Sequence, residues 1–389
     1  MRRVLTILTA IVLLAVSLGI GVFTADLPFW RRALQLPLAP DTTYLPVALL
    51  TPGTENVVAA APAPVIASAA AFDELVVEEA ANRARALGSR ALLVIHERQL
   101  VVERYFVADD ANSLLPATVI ARPIAAMAAG IAIAENAIEL DAPVSRLLPE
   151  WEGDPRGAIT LRQLLEETSG LEVGGDLRDL LYRAPLRDLG ELPRFATSRG
   201  VRMLLGNDYA ASALNFRLEH EPGGFYHVSP ANTQLAALMI ERATKQPYEK
   251  FVEEKIWRPV GAGTAELQLD RRSGMPAAHC CWRATARDML RVAALLGRDG
   301  VSNGRQVLPA GWVAQMMRPA RVSAGTGMQA TLLPIEGEPA YELRDEQGSA
   351  IWIIPGRRAS ILTVGNPGEP VTGELRELPA LLLRGLAPR

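Results

Sequence analysis

The spacing of apolar residues predicts strands at both ends of a domain with helices between them. Residues 72–87 have helical periodicity, and two apolar runs follow at residues 91–95 and 100–106, separated by a polar tetrapeptide typical of a hairpin turn. Residues 350–354 and 359–364 form a second pair of short apolar runs around a proline-glycine turn. We therefore expect an α+β fold in which one antiparallel sheet is built from both ends of the domain.

The middle of the chain is predicted to be helical. Residues 124–134 are all small or apolar, which is typical of a helix that is buried on nearly all sides. Further helices are indicated at residues 161–167, 233–244, 248–257, 284–296 and 377–384. These helices should flank the sheet and form a helical subdomain.

An apolar segment lies near the N-terminus. Residues 4–23 hold no charge and follow Arg2 and Arg3, and a helix of this length spans the hydrocarbon core of a membrane. We predict a retained anchor within residues 1–25, with a cleaved secretory signal as the alternative. Because the basic residues favour a cytoplasmic N-terminus, the domain of a bacterial protein would be anchored in the inner membrane and lie in the periplasm. It would be secreted if the segment were cleaved.

The next segment, residues 26–71, is rich in proline, alanine and threonine. Such a composition with little amphipathic period is typical of a linker, and we expect it to be extended and partly disordered. Residues 72–389 then form the globular domain.

Composition and charge exclude several classes of partner. The 389 residues are 49% hydrophobic and 21% charged, and the formal net charge is −3. The sequence has no long basic run, so we expect no nucleic acid partner. It also lacks the clustered histidine, cysteine or acidic spacing of a zinc site and a glycine-rich phosphate loop, so we expect no metal and no cofactor.

Cys280 and Cys281 are the only cysteines in the sequence. Neighbouring cysteines rarely form a disulfide because the geometry is strained, so we predict a buried, unbridged and inert pair. His279 beside them leaves a thiolate site as the alternative.

An ordered series of sequence blocks runs through the domain. The blocks are GIAI at 130–133, LDAPV at 140–144, LLPEW at 147–151, ITLRQLL at 159–165, TSGL at 168–171, NTQL at 232–235, IWRPVG at 256–261 and ATARD at 284–288. Over residues 73–387 they resemble the β-lactamase-related serine hydrolases, which include class C β-lactamases, esterases and 6-aminohexanoate-dimer hydrolases. The resemblance implies a β-lactamase/transpeptidase-like fold, although a shared fold does not by itself mean shared chemistry.

The resemblance also assigns the two central catalytic positions. In that family a nucleophilic serine opens the buried helix that carries the GIAI block, and a lysine follows one turn later. The register places these roles on Val119 and Arg122. Valine offers no nucleophilic atom, and arginine does not deprotonate near neutral pH to act as a base. We therefore expect that the serine and lysine functions have been lost.

The other two catalytic elements of the family are altered as well. The tyrosine that helps to shuttle the proton falls on Val228, and Tyr226 is the nearest substitute, although a packing role is favoured for it. The glycine-rich turn at the sheet edge falls on residues 345–348, where Gln347 and Gly348 would line the cleft.

Two residue pairs could in principle replace the lost nucleophile. His227 with Ser229 could share a strand face, and His279 with Cys280 is a thiol-imidazole pair. No motif supplies a third, orienting carboxylate, so loop and packing roles are favoured for both pairs.

The sequence thus predicts a catalytically inactive homologue of these hydrolases. We expect it to bind an unknown small molecule or a component of the cell envelope in its cleft. The alternative is an active amidase or esterase that uses a non-standard nucleophile.

Overall fold

A computed structural model of the chain describes residues 27–35, 47–51, 73–174, 192–366 and 375–386. Within these ranges, no helix has the length and apolar character needed to cross a membrane. The predicted anchor at residues 4–23 lies outside the described residues, so it stays a prediction.

The strands fall at both ends of the domain and in its middle. They are β1 Val47–Leu50, β2 Ala91–His96, β3 Gln99–Tyr105, β4 Leu115–Pro116, β5 Ala265–Gln268, β6 Trp282–Ala284, β7 Val301–Ser302, β8 Arg305–Gln306, β9 Thr326–Gly327, β10 Ala330–Ile335, β11 Glu338–Arg344, β12 Ala350–Ile354 and β13 Ala359–Val364.

The α-helices occupy most of the region between the terminal strands. They are α1 Leu27–Gln35, α2 Glu74–Ala86, α3 Thr118–Ala134, α4 Leu161–Leu165, α5 Leu192–Thr197, α6 Arg199–Leu205, α7 Tyr209–Leu214, α8 Pro230–Thr244, α9 Tyr248–Val252, α10 Ala286–Ala293, α11 Trp312–Met316 and α12 Glu377–Gly385. A π-helical turn, Glu253–Trp257, extends α9. Short 3-10 helices span Val144–Arg146, Pro149–Trp151, Pro155–Ala158, Leu296–Arg298 and Pro355–Arg357.

The main sheet has seven antiparallel strands in the order β3-β2-β13-β12-β11-β10-β9. β13 pairs with β2, with Ile361 opposite Val94, so the two predicted hairpins are joined into one sheet. The prediction that both ends of the domain complete this sheet is confirmed. The β10–β11 hairpin was not predicted, because Pro334 and Pro339 stand opposite each other within it and mask the strand pattern.

The main sheet is covered on both faces because successive side chains in a strand point to opposite sides. Ile353 of β12 packs in a large core with the helix α3, which is buried along most of its length as predicted. Trp352 faces the other way, into a second core with Val77 of α2 and Leu382 of α12. The architecture is therefore α+β, with helices against both faces of an antiparallel sheet.

The prediction of an extended linker was wrong for two parts of residues 26–71. Phe29 and Trp30 of α1 are buried in a small cluster with Phe195, and β1 pairs with β5 in a second sheet of order β1-β5-β6-β4. The proline-rich composition concealed two short apolar runs that gain hydrophobic free energy by packing on the domain.

The prediction of an unbridged cysteine pair was also wrong. Cys280 and Cys281 form a disulfide, and Cys281 has a left-handed backbone with a φ of 65°. The prediction assumed an ordinary backbone, which would hold the two sulfurs apart, and the sequence does not indicate this uncommon conformation. Since Cys280 carries no thiol in this state, the proposed pairing of His279 with a Cys280 thiolate is not formed.

Candidate functional site

The start of α3 carries the two positions assigned to the family's serine and lysine. Val119 is 2% exposed and Arg122 is half-buried. Pro123 lies inside the helix and has no N–H to donate to the Val119 carbonyl, so one helical hydrogen bond is missing at this point. The Thr118 hydroxyl accepts a hydrogen bond of 3.3 Å from the Cys281 N–H, which ties the helix start to the disulfide. A buried hydrocarbon side chain therefore occupies the nucleophile position.

Glu167 is a buried carboxylate that the sequence reasoning missed. It is 3% exposed and accepts hydrogen bonds from the Ser229 N–H (3.0 Å), the Gln329 side-chain amide (2.9 Å) and the Asn232 side-chain amide. Burial raises the pKa of the Glu167 carboxyl, and the Arg122 charge and these donors offset part of that rise. The only sequence signal was an acidic residue placed directly before the TSGL block.

Two of the retained family blocks hold each other through this carboxylate. The Ser169 hydroxyl of the TSGL block donates to the Asn232 Oδ1 over 2.6 Å, while the Asn232 amide donates to Glu167. All three residues are buried. The two blocks thus position each other, which gives them a structural role that does not depend on catalysis.

Arg122 is the electrostatic centre of the cleft. Burial raises the pKa of Glu167, Tyr226 and Asp345, and the Arg122 charge opposes that rise. For His279, burial lowers the pKa and the Arg122 charge lowers it further, so residues from four chain segments share the environment of this guanidinium. Within the described part of the chain, its guanidinium forms no hydrogen bond and no ion pair. A half-buried charge without a direct partner is available to a ligand.

His279 is held neutral beside the disulfide. Its Nδ1 lies 3.2 Å from the Gln234 Oε1, which also accepts from the Ala278 N–H over 2.9 Å. Burial lowers the pKa of His279 to about 3, and the nearby Arg122 charge lowers it in the same direction. At neutral pH the imidazole is uncharged.

The turn at residues 345–348 sits directly before β12. Asp345 Oδ1 accepts from the Gln347 and Ser349 N–H groups, each over 2.9 Å, and Gly348 has a φ of 88°. Burial raises the pKa of Asp345 to about 6. Asp345 Oδ2 and Gln347 Oε1 are buried without a hydrogen-bond partner in the described residues. The turn therefore presents unpaired acceptors rather than the basic residue of the family motif.

Replacing Asp345 by Asn should remove a loss of stability that the wild-type protein shows as pH rises. A carboxyl whose folded pKa is about 6 and whose unfolded pKa is about 3.8 stabilises the fold below the lower value, and this stability, about 3 kcal/mol, is lost as pH rises through the higher one. Asn keeps the accepting oxygen but does not titrate. Urea unfolding at about pH 4 and pH 8 should show that this loss is absent in Asp345→Asn, while the exposed control Glu346→Gln should retain it. An equal pH dependence in wild type and Asp345→Asn would contradict the assignment.

The residues around Val228 form no nucleophile-base pair. The Ser229 hydroxyl donates to the Glu172 carbonyl over 2.7 Å and is buried, so it is not paired with His227. His227 donates its backbone N–H to the Glu167 carbonyl, and its Nε2 is buried without a partner. Val228 and Tyr226 are half-buried, and burial raises the pKa of Tyr226, as does the charge of Glu167. Of the predicted positions, Tyr226 is the one whose hydroxyl shares the environment of Arg122.

The described residues hold no group of three or more histidine, cysteine or acidic side chains that could bind a metal ion.

Comparisons with known proteins agree with the resemblance found in the sequence. The 6-aminohexanoate-dimer hydrolase of Paenarthrobacter ureafaciens is 26% identical over 231 residues, which cover 58% of this chain and 56% of that protein. Esterase EstB of Burkholderia gladioli is 30% identical over 213 residues, 50% of each chain. The chain spans about half the length of these curated relatives.

Solved structures share the fold. A D-stereospecific amidohydrolase from Streptomyces sp. superposes with a TM-score of 0.60 at 19% identity, covering 81% of this chain and 100% of that one. At this identity the likeness concerns the fold alone. The profile of the beta-lactamase family matches residues 72–373. With the fold and the ordered blocks in agreement with that match, the chain belongs to the beta-lactamase family.

Proposed function

We propose that this family member does not hydrolyse substrates through the family mechanism and instead uses its cleft to bind a ligand. The observation that carries the proposal is the pair at the start of α3, where Val119 and Arg122 stand in place of serine and lysine. An acyl intermediate requires a nucleophilic atom, and its activation requires a group that gives up a proton near neutral pH. Neither residue supplies these functions.

Unpaired polar atoms around the cleft support a binding role. Buried atoms without a hydrogen-bond partner in the described residues include His227 Nε2, Gln329 Oε1, Asp345 Oδ2 and Gln347 Oε1. Buried polar groups are usually paired, because an unpaired one costs about 1–3 kcal/mol. A polar ligand that also meets the Arg122 guanidinium would satisfy them.

The ligand is proposed to be a small molecule or a component of the cell envelope. The charge-free run at residues 4–23 supports a membrane-anchored protein whose domain faces the periplasm. This location would bring the cleft to envelope components.

The competing function is hydrolysis of an amide or ester by a different nucleophile. The names of the hydrolase and esterase relatives favour it, and Tyr226 offers a hydroxyl near Glu167 and Arg122. Because the hydroxyl of Ser229 is already committed to a carbonyl, Tyr226 is the stronger candidate.

A covalent probe separates the two functions. The full-length protein, incubated with a fluorophosphonate or a β-lactam, should show no mass shift, and a p-nitrophenyl ester should be hydrolysed no faster than in buffer. An active serine hydrolase in the same assay confirms that the probe is reactive. An adduct mapped to one hydroxyl and abolished by its substitution, such as Tyr226→Phe, would establish the competing function.

A further inference from the structure

A cavity of about 310 Å³ lies at the other end of the main sheet. It is bounded by the β2–β3 turn, the β12–β13 turn and the 3-10 helix that follows α10. The cleft turn at residues 345–348 precedes the first residue of β12, whereas the cavity touches its last residue, Ile354. A strand of this length rises roughly 16 Å, so the cavity is separate from the cleft.

Arginines dominate the charge of this cavity. Arg98, Arg298 and Arg358 line it together with one carboxylate, Glu97. Arg358 is paired with Glu97 over 2.9 Å. The guanidinium groups of Arg98 and Arg298 form no hydrogen bond and no ion pair within the described residues. The lining therefore contains two guanidinium groups without a counter-charge.

The two unpaired arginines act on each other. Arg298 is half-buried, and burial lowers its pKa, with the positive charge of Arg98 lowering it further. Like charges held together in a partly desolvated place are unfavourable unless an anion lies between them. The Glu338 carboxylate lies against Gly356 in the adjoining turn, which reduces the positive excess without reversing it.

The cavity also holds a neutral hydrogen-bonding group. Ser360 is 6% exposed and lines the cavity, and its hydroxyl has no hydrogen-bond partner in the described residues. Two residues along β13, Leu362 packs in the main core, so Ser360 faces the same side of the sheet, toward α10. Ser360 therefore lines the cavity from the sheet side.

We propose that this distal pocket, formed by Arg98, Arg298, Arg358 and Ser360, binds a small phosphate monoester or inorganic phosphate. Guanidinium groups bind phosphate oxygens through paired, charge-assisted hydrogen bonds. A phosphate monoester carries a charge of about −1.5 to −2 at neutral pH, which matches two unpaired arginines better than the single charge of a carboxylate. The volume is at the low end of the roughly 300–1,000 Å³ range of ligand sites, which favours a small molecule.

Calorimetric titration of the full-length protein in neutral detergent tests the pocket. The ligands are inorganic phosphate, glycerol 3-phosphate and glycerophosphoglycerol, whose phosphodiester represents a lipid headgroup. We expect saturable binding, strongest for the monoester. Arg298→Gln should weaken it about tenfold or more, because a charged hydrogen-bonding partner is lost. Arg146→Gln is the matched control, since Arg146 is exposed and its one ion pair in the described part of the chain is with Glu139.

The three ligands distinguish possible sources of the phosphate. Preference for the monoester or inorganic phosphate supports the proposed soluble ligand, whereas preference for the diester would indicate a lipid headgroup and contradict the proposal. If Arg298→Gln fails to fold, as judged by its thermal unfolding, the exposed Arg98→Gln replaces it. Absence of saturable binding of all three ligands, or equal affinity in wild type and the folded pocket variant, would overturn the proposal. Either result leaves the question of hydrolysis in the cleft untouched.

Discussion

Replacing Glu167 by Ala should destabilise the fold by about 3–5 kcal/mol, because it leaves three donors unpaired and each unpaired buried donor costs about 1–3 kcal/mol. The substitution leaves the Ser229 N–H and the side-chain amides of Asn232 and Gln329 without their acceptor. The relief of burying a carboxylate offsets part of this loss but does not replace three hydrogen bonds.

Urea unfolding near neutral pH measures the effect, and two further variants sharpen it. Glu167→Gln keeps one accepting oxygen but places an NH2 group against the N–H donors that faced the other oxygen. This variant should therefore lose less stability than Glu167→Ala, about 1–2 kcal/mol. Glu166→Ala is the matched control. Among the described residues this neighbouring side chain makes a single long ion pair, 3.8 Å from Arg162, so its loss should change stability by less than about 1 kcal/mol. Equal effects at positions 166 and 167 would show that Glu167 does not organise the cleft.

This network marks the boundary of what the sequence could predict about the site. The family blocks located Val119 and Arg122 because their spacing from the GIAI block is visible in the chain. Glu167 escaped notice because nothing in a sequence shows that two donors from α8 and its entry, and a third from residue 329, converge on one carboxylate. Contacts of this kind depend on tertiary packing rather than on periodicity.

The fold shows the same division. The β12–β13 hairpin was predicted with its observed bounds, because two buried apolar runs flank an obvious turn. α1 and β1 were missed because short apolar runs in a proline-rich segment carry too few residues to reveal a period. The disulfide was missed because it accompanies the uncommon backbone of Cys281, which residue type does not indicate.

His279 should make the protein sensitive to acid. An imidazole whose folded pKa is about 3 and whose unfolded pKa is about 6.5 stabilises the fold above the higher value, and this stability is lost as pH falls toward the lower one. Between these two values the imidazole is protonated in the unfolded chain but not in the folded protein. The loss amounts to about 2 kcal/mol at pH 5 and about 4 kcal/mol at pH 3.

His279→Asn isolates this contribution. The Asn amide can donate to the Gln234 Oε1 in place of Nδ1 but does not titrate. The smaller side chain destabilises the variant equally at every pH, and the acid-dependent loss of stability is absent. Urea unfolding at about pH 7.5 and pH 5 should therefore show wild type losing about 2 kcal/mol more than His279→Asn. The exposed His220→Asn should behave as wild type.

Because Asp345 titrates in the opposite sense over part of this range, the comparison is made between variants at the same pH and not from the wild-type curve alone. A wild type and a His279→Asn variant with parallel pH profiles would mean that the ring accepts a proton in the folded state, and Arg122 could not then lie close to it.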